Sequence, residues 1–251
     1  MSFINSFDLS MMQWIWLIIA AFLVGFSKTG ISSFMMPVIP ILASLFGGKG
    51  STGVILPLLI LGDIFALYYY NRHANWENIK KLLPWSFIGL ISGVIVGNYI
   101  NDKQFKAVIS ISLLLCLVVL IYTQKKGDNI EVPTNKWFYV MAGIATGFTS
   151  MIGNAAGPIF SVYLLTMNFK KNNFMGTTAW FFFLINISKV PLQILFWHNI
   201  SFKTIILTFG MVPAIALGAL LGMLMIKKIN EKYFRYIIIV VTALAAVKLL
   251  I

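Results

Sequence analysis

Ten apolar stretches, parted by short gaps that hold most of the charge, leave this chain few ways to fold. They cover about residues 11–26, 31–46, 52–70, 82–100, 105–123, 137–151, 155–169, 174–197, 202–226 and 233–251. Most are long enough to cross a bilayer core of about 30 Å, which takes about 20 helical residues at about 1.5 Å of rise each. In water such a chain would not hide its surface: 59% of the residues are apolar and 10% charged, against roughly 25% charged in an ordinary soluble domain. In hydrocarbon every backbone polar group needs an internal partner, and stretches of this length find one as helices. The sequence predicts an all-α integral membrane protein.

The net charge of +12 does not point to nucleic acid. Lys and Arg lie in the gaps and form no stripe along a polar face. They orient the chain instead. With alternating gaps, one side receives Arg72, Lys80, Lys81, Lys125, Lys126, Lys136, Lys170, Lys171, Lys227, Lys228, Lys232 and Arg235, and the other Lys49, Lys103, Lys106, Lys203 and Lys248. The richer side is expected to face the cytoplasm. That makes a multi-pass protein of the cell (inner or plasma) membrane with both termini extracytoplasmic. No basic n-region or cleavage site opens the chain, so the run from Met11 is expected to be retained. The single cysteine, Cys116, allows no internal disulfide and reads as a packed small side chain. Tyr68–Tyr70, Trp76, Trp85, Trp137 and Trp197 read as interfacial aromatic belts, and His73 and His198 as interfacial residues. No ligand spacing for a metal occurs, and no motif calls for a cofactor.

The longest polar connection, 124–136, divides the segments five and five: a first repeat at 1–123, a cytoplasmic linker, and a second repeat at 137–251. Gly25-Phe26-Ser27 matches Gly147-Phe148-Thr149 at an offset of 122 (147 − 25), and Gly93 and Gly97 match Gly218 and Gly222 at 125 (218 − 93). Phe105-Lys106 matches Phe234-Arg235 at 129 (234 − 105). An odd number of segments per half gives inverted-topology repeats, a plan common in secondary transporters. Two neighbouring pairs of segments are short, about 16 residues each. Either each pair is a re-entrant helical hairpin, giving one hairpin plus three transmembrane helices per repeat, or it is two thin crossings.

The breaks in those pairs are polar and glycine-containing: Gly25-Phe-Ser-Lys-Thr-Gly-Ile-Ser-Ser33 and Gly147-Phe-Thr-Ser-Met-Ile-Gly-Asn-Ala-Ala-Gly157. A helix that starts after such a turn has unpartnered N–H groups and the positive end of its dipole, which favour an anion. Ser27, Thr29, Ser32, Thr149, Ser150 and Asn154 are candidate side-chain partners, with Gly30 and Gly153 allowing the bend. For the glycines alone, close helix packing explains as much. Lys28, Asp63 and Lys189 are ionisable groups inside apolar segments, and such groups mark functional sites by default. Lys28 is expected to attract the anion unless it snorkels to an interface, and Lys189 to add positive field. Asp63 is expected to pair with Lys189 or to carry a coupling proton. Gln193 lies one helical turn beyond Lys189.

These residues resemble the sulfite exporter TauE/SafE family. The likeness rests on Gly25-Phe-Ser-Lys-Thr-Gly30 followed by Pro37, on Gly62-Asp63 with Ala66 and Tyr69, and on Arg72-His73-Ala74-x-Trp76. Leu83-Pro84-Trp85, the Gly89/Gly93/Gly97 ladder, Ala179-Trp180-Phe-Phe-Phe183 and Asn186-x-x-Lys189-x-Pro191 complete it. Ser32-Ser33 departs from it, standing where many members have a glycine. The resemblance implies export or uptake of small sulfur-containing anions such as sulfite, thiosulfate or sulfoacetate, with no ATP-binding partner. The expected function is secondary transport of such an anion by alternating access. The alternatives are a passive anion channel and a carrier of another small organic anion. Neither a nucleophile–base pair nor a P-loop is present, so no enzyme is expected. The expected partners are the anion and the bilayer, and self-association is left open.

Overall fold

The computed structural model describes residues 9–30, 32–126, 136–165 and 171–225, with 240, 243, 244 and 247. Most of the run at 233–251, most of the 124–136 connection, and the charges Lys170, Lys227, Lys228, Lys232, Arg235 and Lys248 fall outside the described residues. Among the described residues every regular element is helical: α1 Met11–Thr29, α2 Val38–Phe46, α3 Gly48–Tyr70, α4 Trp76–Tyr99, α5 Asp102–Lys126, α6 Lys136–Gly153, α7 Gly157–Leu165, α8 Lys171–Leu192, α9 Phe202–Gly210 and α10 Val212–Met225.

The helix starts are written locally. Ser10 caps α1 in a reciprocal box with Gln13, Asn75 accepts from the Asn78 N–H to cap α4, and Ser201 does the same for α9 with Thr204. Such caps satisfy N–H groups that the helix itself leaves unpaired. Among the described residues, four helical stretches are long and apolar enough to span a membrane: Met11–Thr29, Gly48–Tyr70, Trp76–Tyr99 and Asn172–Trp197. A fifth candidate, Phe202–Gly210 with Val212–Leu224, is bent by 50°. The sequence reads that stretch as one crossing. The bend follows from Pro213, which lacks an N–H and crowds the carbonyl four residues back.

The first short pair is a helix–turn–helix unit with unequal arms, not the two arms of about 16 residues that the sequence suggests: α1 has 19 residues and α2 has 9. In the second pair α6 covers Lys136–Gly153, and α7 is described over Gly157–Leu165. Nine residues rise about 13 Å, half of a bilayer core. After the first break the chain makes a four-residue 3-10 turn, Ser32–Met35, and α2 begins only at Val38.

Helix α1 packs most extensively on α10, α4 on α6, and α3 on α8. The first two interfaces are glycine seams. A Cβ at Gly25 would strike the Ile215 carbonyl, and one at Gly147 the Ser86 carbonyl. Gly218 meets the Phe22 carbonyl as Gly89 meets that of Ile144, and Gly222 meets that of Phe26 as Gly93 meets that of Phe148. Lipid supplies no hydrophobic drive between helices, so close backbone approach is what holds such pairs. These contacts correspond at offsets of 122 on α1/α6 (144 − 22) and 129 on α4/α10 (218 − 89). By these contacts Gly89 and Gly93 stand to α6 as Gly218 and Gly222 stand to α1, one turn away from the match of Gly93 and Gly97 that the sequence suggests. Gly97 instead makes room for the Trp197 indole, which stacks edge-on to Phe105 at 5.3 Å. Trp197 is buried and so is not part of a belt, whereas Trp76 and Trp137 are exposed. The apolar side chains left uncovered on α1, α4, α8 and α10, among them Ile18, Ile91, Ile187 and Leu220, form the surface a bilayer would solvate.

Candidate functional site

Where the two breaks approach α3 and α8, the described residues hold their only buried charged side chains, Asp63 and Lys189, with Lys28 14% exposed beside them. Lys28 ends α1. Its aliphatic stem lies along Gly62 of α3, where a Cβ would stand 3.0 Å from Lys28 Cγ. Its ammonium reaches Asp63 Oδ1 at 2.6 Å and sits 5.1 Å from the centre of the Phe182 ring. The Asp63 carboxylate is fully enclosed, and its second oxygen accepts from Asn186 Nδ2 at 2.6 Å.

The sequence expects Asp63 to pair with Lys189. It does not: Asp63 takes Lys28, and Asn186 stands between Asp63 and Lys189. The Lys189 ammonium donates to Asn186 Oδ1 at 3.0 Å, to Asn154 Oδ1 at 2.5 Å, and to the Ser150 carbonyl and Oγ at 3.1 and 3.3 Å. All four are neutral oxygens. An ammonium has only protons to offer, so it fixes both amides. Asn186 must turn its oxygen to Lys189 and its NH2 to Asp63. Asn154 must turn its NH2 away from Lys189, and that nitrogen is buried without a partner.

Each residue expected at the site has a definite place. The Ser27 hydroxyl donates to the Val24 carbonyl at 2.8 Å, and Thr29 to those of Ala219 at 2.8 Å and Gly25 at 3.2 Å. Thr149 donates to the Ala145 carbonyl at 2.7 Å. Each hydroxyl has one proton, so in this arrangement none of the three offers it to an anion, contrary to expectation. Ser32 has no described side chain. Gly30 closes α1 through its N–H on the Phe26 carbonyl at 2.9 Å and packs against Gly222. Gly153 ends α6, and Asn154 follows in the left-handed region at φ 53°. Asn is among the few residues that adopt it readily.

Gln193 is fully buried, and both atoms of its amide lack a partner. It opens a π-helical turn, Gln193–Trp197, two residues after Pro191. Such turns recur at functional sites. Phe182, Asn186, Lys189 and Gln193, at spacings of 4, 3 and 4, follow one face along α8 and into the turn after it. Sequence reasoning missed Asn186 as a bridge, although it stands in the Asn186-x-x-Lys189 motif. It also missed Tyr70, whose hydroxyl donates to the Thr29 carbonyl at 3.1 Å and ties the end of α1 to α3. The described residues contain no cluster of His, Cys, Asp or Glu able to hold a metal.

Residues 15–249 match the sequence model of the sulfite exporter TauE/SafE family. Neither the curated proteins nor the solved structures offer a match.

Proposed function

The chain belongs to the sulfite exporter TauE/SafE family, a family of membrane transporters and not of enzymes, and from that premise we propose a secondary carrier of a small anion. The anion is a sulfur-containing oxyanion or an organosulfonate, moved by alternating access. One observation carries the reading: a fully buried ammonium, Lys189, faces only neutral oxygens, beside an unpartnered Asn154 NH2 and an unpartnered Gln193 amide. Unpaired charge and orphan donors are expensive in an apolar interior, and a bound oxyanion answers both. Gly30, Ser150, Gly153 and the hydroxyls of Ser27, Thr29 and Thr149 shape the two breaks around that position. Lys28 and Asp63 form the adjoining pair, with Asp63 as the coupling group.

The alternating-access part of the proposal draws on the reciprocal seams. Each half lends its first helix to the fourth apolar segment of the other, at matched offsets of 122 and 129. That pattern fits two inverted repeats at 1–123 and 137–251 around a cytoplasmic linker at 124–136. The charge bias sets the orientation, with both termini extracytoplasmic. A cysteine at Asn129 (Asn129→Cys) is then expected to resist an impermeant reagent in intact cells, and ready labelling would reverse the topology.

The transport reading is tested by counterflow in proteoliposomes against sulfite, thiosulfate, sulfonates and carboxylates. Saturable uptake accelerated by the same anion inside is expected. Flux that rises linearly with concentration and shows no counterflow would make the protein a channel. No anion flux at all would end the reading.

A further inference from the structure

We infer that the transported anion carries a single negative charge when bound, and that the amides of Asn154 and Gln193 hold it with Lys189 behind them. This deepens the carrier reading above and rests on it. Among the described residues, three charged groups are buried or nearly so: Lys28, Asp63 and Lys189. Lys28 and Asp63 cancel at 2.6 Å. Lys189 has four oxygen neighbours and no carboxylate among them. One positive charge is left over. In a low-dielectric interior an uncancelled charge is costly, and a second one of opposite sign is as costly as the first. A monoanion brings the sum to zero. A dianion at the same place turns the surplus of one into a deficit of one.

The donor arrangement says where it sits. The three Lys189 protons already face four protein oxygens, so the ammonium acts by its field more than by a free N–H. The free donors are Asn154 Nδ2 and Gln193 Nε2, both buried and unpartnered. Asn154 is fixed with that NH2 pointing away from Lys189, and Gln193 stands one turn along the Lys189 face. Two amide donors with one charge behind them suit one oxyanion group, a sulfonate or carboxylate.

The test is calorimetric binding to the purified full-length protein with matched probes: methanesulfonate against sulfate, and acetate against malonate. In each pair the singly charged anion is expected to bind at least about tenfold tighter. Asp63→Asn raises the cluster by one charge and is expected to shift each ratio toward the dianion by at least about tenfold. The double variant Lys28→Met/Asp63→Asn restores the original sum, and its ratio is expected to return to the unmodified protein's, whatever its absolute affinity. Should Asp63→Asn not fold, the double variant carries the comparison with Lys189→Met, in which the sum is zero, both anions are expected to bind more weakly, and the ratio is expected to shift further toward the monoanion. Dianions binding as tightly as monoanions, or ratios indifferent to these changes, would overturn the charge inference while leaving an anion carrier in place. If neither pair binds, and Lys189→Met behaves as the unmodified protein does, the anion reading itself fails.

Discussion

The two breaks solve one problem with opposite parts. The first carries its own ammonium, Lys28, and sends it across to α3. The second carries none, and receives Lys189 from α8. At the offset of 122 Lys28 answers to Ser150 (150 − 28), and at 123 Asp63 answers to Asn186 (186 − 63) and Ala66 to Lys189 (189 − 66). In each half an ammonium thus lies between the break and the helix that follows the second arm, but it is rooted on opposite sides. What it meets also differs. Lys28 meets a carboxylate, whereas Lys189 meets the amide at the equivalent place. One atom type, oxygen in Asp63 against nitrogen in Asn186, separates a closed charge pair from an open one. The closed pair leaves no net charge, and the open one leaves one.

The comparison breaks most severely at Asp63. Asp63→Asn leaves Lys28 without its partner beside an already uncompensated Lys189, and is predicted to destabilise the protein by about 3–5 kcal/mol. Lys28→Met combined with Asp63→Asn removes both charges and is predicted to recover most of that. Denaturant or thermal unfolding in detergent measures both. A double variant no more stable than Asp63→Asn would mean that the pair at 2.6 Å is not what holds this break.

The glycine seams sharpen the comparison in the other direction, because there the halves agree. Gly25→Ala and Gly147→Ala each push a methyl group into a backbone carbonyl of the facing helix. Overpacking of that kind costs about 1–3 kcal/mol, and the two losses are predicted to match. Gly97→Ala meets an indole edge instead of backbone, so its loss is predicted to be smaller. Unequal losses at Gly25 and Gly147 would separate the two seams energetically and weaken the repeat reading.

Membrane residence and most helix positions were legible because apolar length is a one-dimensional property. The break at Met211 was less so: Pro213 was visible, but a proline near the start of a helix is ordinary, and only packing shows which use it has. The glycine register slipped by a turn because glycines spaced four apart match equally well at either register until a facing helix is named. The charge pairing failed for a related reason. Asp63 and Lys189 were the natural opposite charges by level, and nothing in the sequence says that Asn186 stands between them or that Lys28 reaches Asp63 over a glycine. The hydroxyls of Ser27, Thr29 and Thr149 looked free because the sequence cannot show a proton donated to the helix's own carbonyl.

Gln193 tests the open side with the smallest predicted change in stability. A buried amide with both atoms unpartnered contributes no hydrogen bond to lose, and its burial has already cost solvation. Replacing it with an apolar side chain of similar size removes that cost. Gln193→Leu is therefore predicted to leave stability within about 0.5 kcal/mol of the original, or to raise it. The same change removes one of the two free donors beside Lys189, so anion binding is predicted to weaken by at least about tenfold. Structural residues lose fold and function together, and ligand-facing residues lose function alone. A marked loss of stability on Gln193→Leu, with binding retained in the folded fraction, would mean that the amide supports the π-helical turn and that the anion rests elsewhere along the Lys189 face.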